Sequence, residues 1–314
     1  MDLRVPARFL SVLFVVVITA ILWPTIGLSQ TFRIGIPLKD GKVLPAFLFL
    51  PSYGVKGRIP GIICGVGVGS QHILQYQDHC RHLAERNFAV ILMDPSNYPE
   101  NLVPDAYSWD RGAGYLKGSI NQGVVAARLA VSHEWYLNSI KAAVDYLCYS
   151  PFTDPTRIVI SGFSQPANAA LTYACRDPRI KAIVWNYGGS PWVMPYDVLK
   201  LPPVLIFHGE DDDVYEVKYA KKLAAELHTN AKYYEAYIYP GQKHMFNVYY
   251  DLRTENRYMR PIIQESFERL ISFLYRVLEL RPDKKKHAPN YAVQQHFLNP
   301  NFAYYPFEAP KITH

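Results

Sequence analysis

One stretch of the sequence decides the fold: Ile158-Val159-Ile160-Ser161-Gly162-Phe163-Ser164-Gln165-Pro166-Ala167-Asn168-Ala169-Ala170. Its β-branched start favours a strand, its glycine favours a sharp turn, and its small residues at the end favour a helix. Such a turn holds a serine hydroxyl clear of the backbone, while the N–H groups that follow face developing negative charge. The usual pattern is G-x-S-x-G, and Pro166 stands where its second glycine is expected. The stretch therefore predicts a nucleophile elbow with Ser164 at its tip.

Apolar strands alternate with helices on both sides of this stretch. We predict strands at 43–50, 61–65, 88–93, 157–160, 182–185, 203–207 and 233–239, and helices at 78–87, 133–149, from 166 onward, 217–227 and 262–278. Most of these strands lack polar alternation, which is typical of strands buried on both faces of a parallel sheet. The pattern predicts one α/β domain with a mostly parallel central sheet and helices on both faces. Catalytic groups are then expected at the carboxyl ends of the strands.

A serine hydroxyl is a weak nucleophile, so Ser164 needs a base, and the base needs an acid that orients it. Three histidines follow Ser164 before the C-terminal tail. We expect His208, at the end of a strand, to pack in the core and His228 to lie at the polar end of a helix. His244 follows the last predicted strand in a turn-rich loop, so it is the candidate base.

Carboxylates are concentrated in one loop after a buried strand, His208-Gly209-Glu210-Asp211-Asp212-Asp213-Val214. In a parallel sheet this loop emerges at the same edge as Ser164, so it can supply the acid of a triad. A solvated acidic turn is the alternative, with Asp213 as the N-cap of the following helix. A cation site is a further alternative, although the spacing is not that of an EF-hand.

An oxyanion formed at Ser164 needs two backbone N–H donors. We predict that Gln165, the residue after the nucleophile, supplies one. The glycine-rich loop 65–69 follows an early strand, and we predict that Val66 in this loop supplies the other. Phosphate binding is not favoured for this loop, because it matches neither the P-loop pattern nor G-x-G-x-x-G.

Three segments resemble the signatures of the dienelactone hydrolase family of α/β-hydrolases: 162–165, 208–212 and 239–246. The resemblance covers roughly residues 40–280 and implies the α/β-hydrolase fold. It also implies Asp212 as the acid, because in that family the acid follows the strand-end glycine by three positions. The histidine of the Y-P-G-x-x-H-x-F signature falls on His244. The founding members use a cysteine nucleophile, whereas Ser164 makes this chain similar to the esterase-like members.

The residues and the resemblance together imply a serine hydrolase that cleaves an ester, a lactone or a thioester. Ser164 would attack the acyl carbon, His244 would transfer the proton, and Asp212 would orient His244. Neither a metal nor an organic cofactor is expected. The same triad would also serve acyl transfer to an acceptor other than water, or cleavage of a peptide bond. A binding protein that kept the scaffold without catalysis is the alternative from a different class.

The composition does not favour a nucleic-acid partner. The formal net charge is +6, but the basic residues are scattered, and the dense run at 284–287 lies near the C-terminus. Without a basic patch or a recognisable module, the expected partner is a small-molecule ester or acyl compound. The cysteines have no C-x-x-C spacing, so we expect buried thiols rather than a zinc site, with one disulfide as the alternative; they are Cys64, Cys80, Cys148 and Cys175.

The N-terminal segment has the layout of a signal peptide. Arg4 and Arg8 precede an uncharged apolar run at 9–23, and Gly27-Leu28-Ser29 offers small residues for cleavage. The expected location is therefore periplasmic or extracellular. The uncharged run extends to Leu28, long enough for a retained membrane anchor at 9–28, which is the alternative. The predicted organisation is a signal segment over 1–29, a hydrolase domain over 30–280 and an aromatic, proline-rich extension over 281–314.

Overall fold

The computed structural model describes residues 29–67, 73–94, 122–189, 196–248 and 261–280. The predicted signal segment, apart from Ser29, and the predicted C-terminal extension lie outside these ranges. Among the helices within them, none combines the length and the apolar character that crossing a membrane requires.

The described residues form an eight-stranded sheet with helices on both faces. The strands are β1 (Gln30–Pro37), β2 (Val43–Leu50), β3 (Ile59–Gly65), β4 (Ala89–Met93), β5 (Thr153–Phe163), β6 (Ile180–Asn186), β7 (Val204–Gly209) and β8 (Tyr234–Tyr239). The helices are α1 (Ile73–Glu85), α2 (Gln122–Tyr149), α3 (Gln165–Ala174), α4 (Lys218–Thr229) and α5 (Pro261–Val277), and a short 3₁₀ helix spans Val198–Lys200.

The strand order is β1-β2-β4-β3-β5-β6-β7-β8. The strands from β4 to β8 in this order pair in parallel, whereas β1 with β2 and β2 with β4 pair antiparallel. The parallel section brings the carboxyl ends of β3, β5, β6, β7 and β8 to one edge of the sheet. The predicted α/β fold with a mostly parallel sheet is confirmed.

The central segments of the parallel strands are mostly apolar because alternate side chains enter two separate cores. On β5, Ile160 belongs to the core under α2, α3 and α4, while its neighbour Val159 belongs to the core under α1 and α5. The same alternation separates Ile63 from Ile62 on β3. Burial on both faces removes the polar alternation that a half-exposed strand would show.

Strand β1 was not predicted. It lies at the edge of the sheet and pairs with β2 over its whole length, from Gln30 opposite Leu50 to Pro37 opposite Val43. Of its residues only Ile36 is buried. Phe32, Ile34 and Ile36 alternate along β1 and face the core, but three apolar residues next to the predicted signal segment are a short and weak strand signal.

Strand β5 is longer than predicted and starts at Thr153 instead of Arg157. Its pairing with β3 shifts register between Ile59, opposite Thr153, and Gly61, opposite Ile158. Pro155 lies within this irregular segment. Proline cannot donate to a ladder and is tolerated in a sheet at such irregularities, so the strand continues past a residue that normally ends one.

None of the four cysteines forms a disulfide in the structure, and all four lie in described segments. Cys64 and Cys80 are fully buried, as expected, and burial raises the pKa of Cys80 well above its usual value. Cys148 and Cys175 are half-buried. Cys64 and Cys80 therefore pack as small apolar groups, whereas the Cys175 Sγ lies 3.2 Å from both the backbone N and the backbone O of Asp197.

His79 on α1 is a buried basic group in an apolar setting. It is 4% exposed, and its ring makes edge contacts with the rings of Phe163 and Phe267. Burial lowers the pKa of His79 to about 3, and repulsion from His82 acts in the same direction. The folded protein therefore holds this imidazole neutral at pH values where the unfolded chain protonates it.

Acid is expected to weaken the fold through His79. Because its folded pKa is depressed, its contribution is fully present above the unfolded pKa of about 6.5 and is lost as the pH falls below that value. Between pH 7.5 and pH 5.0 this histidine alone should remove about 2 kcal/mol from the free energy of unfolding. Urea unfolding of wild type and His79→Phe at both pH values measures the difference. The same change at the exposed His228 should leave the pH dependence as in wild type; equal pH dependence in His79→Phe and wild type would contradict this account.

Candidate active site

Ser164 stands between the end of β5 and the start of α3, as the sequence predicted. Its backbone has φ 65° and ψ −130°, a conformation that non-glycine residues rarely adopt. Such strain costs about 1–3 kcal/mol and persists where the surroundings enforce it. Here the Ser164 N–H donates to the Asn186 carbonyl at 2.9 Å, and the Ser164 carbonyl accepts from the Ala167 N–H at 3.0 Å. These bonds hold the serine at the tip of a sharp turn.

Pro166 fits into the elbow because neighbouring positions are glycines. A Cβ on Gly162 would lie 2.4 Å from the Ala167 Cα, so strand and helix meet backbone to backbone there. A Cβ on Gly65 of β3 would lie 3.0 Å from the Pro166 Cβ. The proline lies in the first turn of α3, where its missing N–H leaves no helical bond unmade. Pro166 stands where the pattern has its second glycine, and its side chain is accommodated because β3 has a glycine, Gly65, beside it.

His244 links Ser164 to Asp212 through both of its ring nitrogens. Its Nε2 is 3.1 Å from the Ser164 Oγ, and its Nδ1 is 2.8 Å from the Asp212 Oδ2. Because an ionised carboxylate only accepts, Nδ1 donates to Asp212, which leaves Nε2 free to accept from the serine hydroxyl. The structure thus brings these three predicted residues together in the arrangement of a Ser-His-Asp triad.

Asp212 is held by the backbone of its own loop. Its Oδ1 accepts from the Val214 N–H at 2.9 Å and from the Tyr215 N–H at 2.8 Å, which aims Oδ2 at the histidine. Asp212 is buried, whereas the other three carboxylates of the loop, Glu210, Asp211 and Asp213, are exposed. The acid loop is therefore more than a solvated turn.

Asp213 does not cap the following helix, so that expectation was wrong. The N-cap position of α4 is Val217, which makes no side-chain cap hydrogen bond. Asp213 instead points toward Lys243, with 3.6 Å between the charged atoms. The helix starts at Lys218, five residues after Asp213 and beyond the reach of its side chain. The intervening Val214 and Tyr215 N–H groups instead donate to the Asp212 carboxylate.

The acid loop and the histidine loop touch through their backbones. The Asp211 N–H donates to the Gln242 carbonyl at 3.0 Å, and the Glu210 N–H donates to the Tyr239 carbonyl at 2.9 Å. A Cβ on Gly209 would lie only 2.2 Å from the Gln242 oxygen. Glycine at the end of β7 therefore allows the approach that places Asp212 against His244.

His208 lies in the core, as predicted. It is fully buried, and its Nε2 donates to the Tyr215 carbonyl at 2.8 Å while its ring stacks on Trp185. Burial lowers the pKa of His208, so the neutral ring is favoured. Its Nε2 is also 3.4 Å from the Asp212 Oδ2. His208 thus packs beneath the acid, and His228 lies in the last turn of α4.

Two tyrosine rings flank His244, and sequence reasoning missed both. The Tyr187 ring centroid is 4.6 Å from that of His244, and the Tyr215 ring centroid is 5.8 Å away, both in edge contact. Tyr187 has a positive φ of 39° and donates its N–H to the Phe207 carbonyl at 2.7 Å. Tyr187 could have been proposed from its position directly after β6, because ligand-binding groups lie at the carboxyl ends of parallel strands.

The loop after β3 reaches Ser164 at Gly67, the neighbour of the predicted donor Val66. A Cβ on Gly67 would lie 3.8 Å from the Ser164 Oγ. The Val66 carbonyl accepts from the Tyr136 hydroxyl at 3.1 Å. Since C=O and N–H point in opposite directions across a trans peptide, the Gly67 N–H points away from Tyr136. Gly67 is thus a second candidate donor beside Val66, and Gln165 opens α3 on the other side.

In the part of the chain that the structure describes, no three side chains of the metal-ligating types form a group that could hold an ion. At the sheet edge the Ser164 hydroxyl, the His244 imidazole and the Asp212 carboxylate are within hydrogen-bonding distance of one another in that order.

The sequence and the fold are similar to those of known proteins. The model of the dienelactone hydrolase family matches residues 56–278. A "Putative carboxymethylenebutenolidase" of Methylorubrum extorquens is 25% identical over 227 residues, which cover 69% of this chain and 72% of that protein. The thiohydrolase apmlB of Arthrinium phaeospermum is 26% identical over 171 residues, covering 54% of this chain and 46% of that protein. The crystal structure of a "Putative Dienelactone Hydrolase" from Klebsiella pneumoniae subsp. pneumoniae has a TM-score of 0.59 at 20% identity, covering 78% of this chain and 98% of that one.

Proposed function

The chain belongs to the dienelactone hydrolase family and is a hydrolase, and from this premise we propose that it cleaves small-molecule esters through a serine acyl-enzyme. One observation carries the proposal. The imidazole of His244 lies within hydrogen-bonding distance of both the Ser164 hydroxyl and the Asp212 carboxylate, at 3.1 and 2.8 Å. That contact supplies the base and the orienting acid without which a serine hydroxyl is a weak nucleophile.

In the proposed reaction, the Ser164 Oγ attacks the acyl carbon while its proton passes to the His244 Nε2. The resulting oxyanion is stabilised by the Gln165 N–H and by a second N–H from Val66 or its neighbour Gly67. Collapse breaks the bond to the leaving group, which takes the proton from His244 and departs as an alcohol or thiol. Water then attacks the acyl-enzyme with His244 as base, releasing the acid and restoring the serine.

Esters are the first substrate class to test, followed by lactones and thioesters. The relatives include a carboxymethylenebutenolidase and a thiohydrolase by name, so cyclic esters and thioesters are reasonable classes. Acyl transfer to another acceptor and peptide-bond cleavage would use the same three side chains. A non-catalytic role is disfavoured by the strained serine backbone, since such strain is a feature of functional sites.

A substrate panel tests the proposal. The purified protein is assayed in EDTA with p-nitrophenyl butyrate, dihydrocoumarin, a short-chain thioester and a p-nitroanilide. We expect hydrolysis of at least one of the first three and a much slower reaction with the anilide, because the amine is the poorer leaving group. Loss of all activity in EDTA, with recovery on adding a divalent metal, would contradict a metal-independent serine mechanism.

We also propose that the protein is exported. The support is in the sequence: Arg4 and Arg8 precede the apolar run at 9–23, and small residues follow at 27–29. N-terminal sequencing of the mature protein tests this, with a start near Ser29 or Gln30 expected. A membrane-bound protein with an intact N-terminus would instead favour the retained anchor.

A further inference from the structure

Strand β6 contributes no side chain to the triad, yet its carboxyl end touches the nucleophile elbow at two points. Asn186, its last residue, accepts from the Ser164 N–H through its backbone carbonyl at 2.9 Å. Its side-chain Nδ2 donates to the Gly162 carbonyl at 3.0 Å and lies 3.4 Å from the Ser161 Oγ. Asn186 is only 2% exposed. The backbone turn that carries the nucleophile is therefore fastened to β6 on both sides of Phe163.

The same side chain is bonded to the histidine loop. Asn247, three residues after His244, donates its Nδ2 to the Asn186 Oδ1 at 3.0 Å and is 5% exposed. The direction of this bond follows from its neighbour. The Gly162 carbonyl can only accept, so Asn186 must turn its NH₂ toward Gly162 and its oxygen toward Asn247. Asn247 of the histidine loop thus donates to Asn186, and Asn186 donates to Gly162 of the elbow.

The loop that carries His244 is hydrogen-bonded to other segments on both sides of this residue. Before it, the Gln242 carbonyl accepts from the Asp211 N–H of the acid loop. After it, Asn247 reaches the elbow through Asn186. The first contact fixes His244 relative to the acid, and the second fixes it relative to the serine.

We propose that Asn186 and Asn247 are positioning residues that hold the His244 ring at hydrogen-bonding distance from the Ser164 hydroxyl. The proposal rests on the proposed serine-hydrolase function. Neither residue touches the reacting atoms, so each acts through the loop that it fastens. Because both amides are buried, breaking the hydrogen bond between them leaves polar groups that water cannot reach, which costs free energy. A misplacement of about 1 Å in a catalytic group can cost about 100-fold in rate.

Leucine substitutions test the chain of amides, since leucine has the same branched set of four side-chain heavy atoms as asparagine and cannot form its hydrogen bonds. For a p-nitrophenyl ester, Asn247→Leu and Asn186→Leu should each lower kcat by about 10- to 100-fold and change KM by less than about threefold. The double variant should be no slower than the slower single variant, because two links in series are already broken when one is cut.

The matched control is Asn168→Leu. Asn168 is similarly buried, at 3% exposed. Its side chain accepts a hydrogen bond from the Trp185 indole N–H and donates one to the Gly189 carbonyl, and these contacts involve neither the elbow nor the histidine loop. Thermal unfolding should show comparable losses of stability in the control and in Asn247→Leu, while kcat of the control stays within about threefold of wild type. If Asn247→Leu does not fold, Asn247→Asp carries the same prediction, because a carboxylate cannot donate to the Asn186 oxygen.

Three results would overturn the inference: a wild-type kcat in the folded Asn247 variant, multiplied losses in the double variant, or an equal loss in Asn168→Leu. Each leaves the proposed function intact if the wild-type protein hydrolyses the ester and its Ser164 reacts with a fluorophosphonate. A wild-type protein that does neither would overturn both the proposed function and this inference.

Discussion

Asp212→Asn is expected to lower kcat for ester hydrolysis by about 10⁴-fold and leave KM nearly unchanged. The reason lies in the two backbone bonds to the Asp212 Oδ1, from the Val214 and Tyr215 N–H groups. Backbone N–H groups only donate, so an asparagine must turn its oxygen toward them and its NH₂ toward His244. The His244 Nδ1 then has to accept, and the ring proton moves to Nε2. In that tautomer Nε2 cannot take the proton from Ser164.

Neighbouring carboxylates provide the controls for this prediction. Asp211→Asn and Asp213→Asn make the same chemical change at exposed positions one residue away on either side. Both should keep kcat within about twofold of wild type, since screened surface charges contribute little. Steady-state kinetics on one p-nitrophenyl ester compares all three variants. A large loss in Asp213→Asn together with a small loss in Asp212→Asn would reassign the acid.

Gly209→Ala is expected to lower both the stability and the activity. The added Cβ would lie 2.2 Å from the Gln242 oxygen, and the obstacle is backbone, which cannot rotate away as a side chain can. The acid loop and the histidine loop must separate, so the Asp212–His244 bond lengthens. We expect a loss of about 3 kcal/mol in the free energy of unfolding and of about 100-fold in kcat, measured by urea unfolding and by ester hydrolysis.

Gly241→Ala separates the effect of the clash from the effect of an added methyl group. Gly241 lies in the same histidine loop with φ +70°, and a Cβ there would meet nothing within 4 Å. The variant should lose about 1 kcal/mol through backbone strain and keep kcat within a few-fold of wild type. If Gly209→Ala retained wild-type stability and rate, the close approach of the two loops would not be essential.

Much of this fold could be predicted because burial leaves a pattern in the sequence. The parallel strands read as apolar runs since both of their faces are covered, and the elbow reads as a strand, a glycine and a helix. Ser164, His244 and the acid loop could be proposed because hydroxyl, carboxylate and imidazole follow three such strands in the required order. The choice of Asp212 within that loop came from the resemblance to the dienelactone hydrolase family. Strand β1 was missed because it lies at the sheet edge and its apolar alternation is limited to Phe32, Ile34 and Ile36, directly after the predicted signal segment.

The contacts between loops could not be predicted for a different reason. Asn186, Tyr187 and Asn247 are ordinary residue types at unremarkable spacings, and their partners depend on the path of two backbones. Pro166 shows the same limit. Its compatibility with the elbow depends on Gly65 of β3, a hundred residues earlier in the chain, which no local pattern could reveal.

The central claim, that Ser164 is the nucleophile, is tested most directly by mapping a covalent adduct. The folded protein is treated with a fluorophosphonate, digested with trypsin and analysed by fragmentation mass spectrometry. The relevant peptide spans Ile158 to Arg176 and contains both Ser161 and Ser164. We predict one adduct, placed on Ser164 by the fragment ions and absent from Ser164→Ala. An unmodified Ser164 in the folded wild-type protein, or the same adduct persisting in Ser164→Ala, would contradict the account.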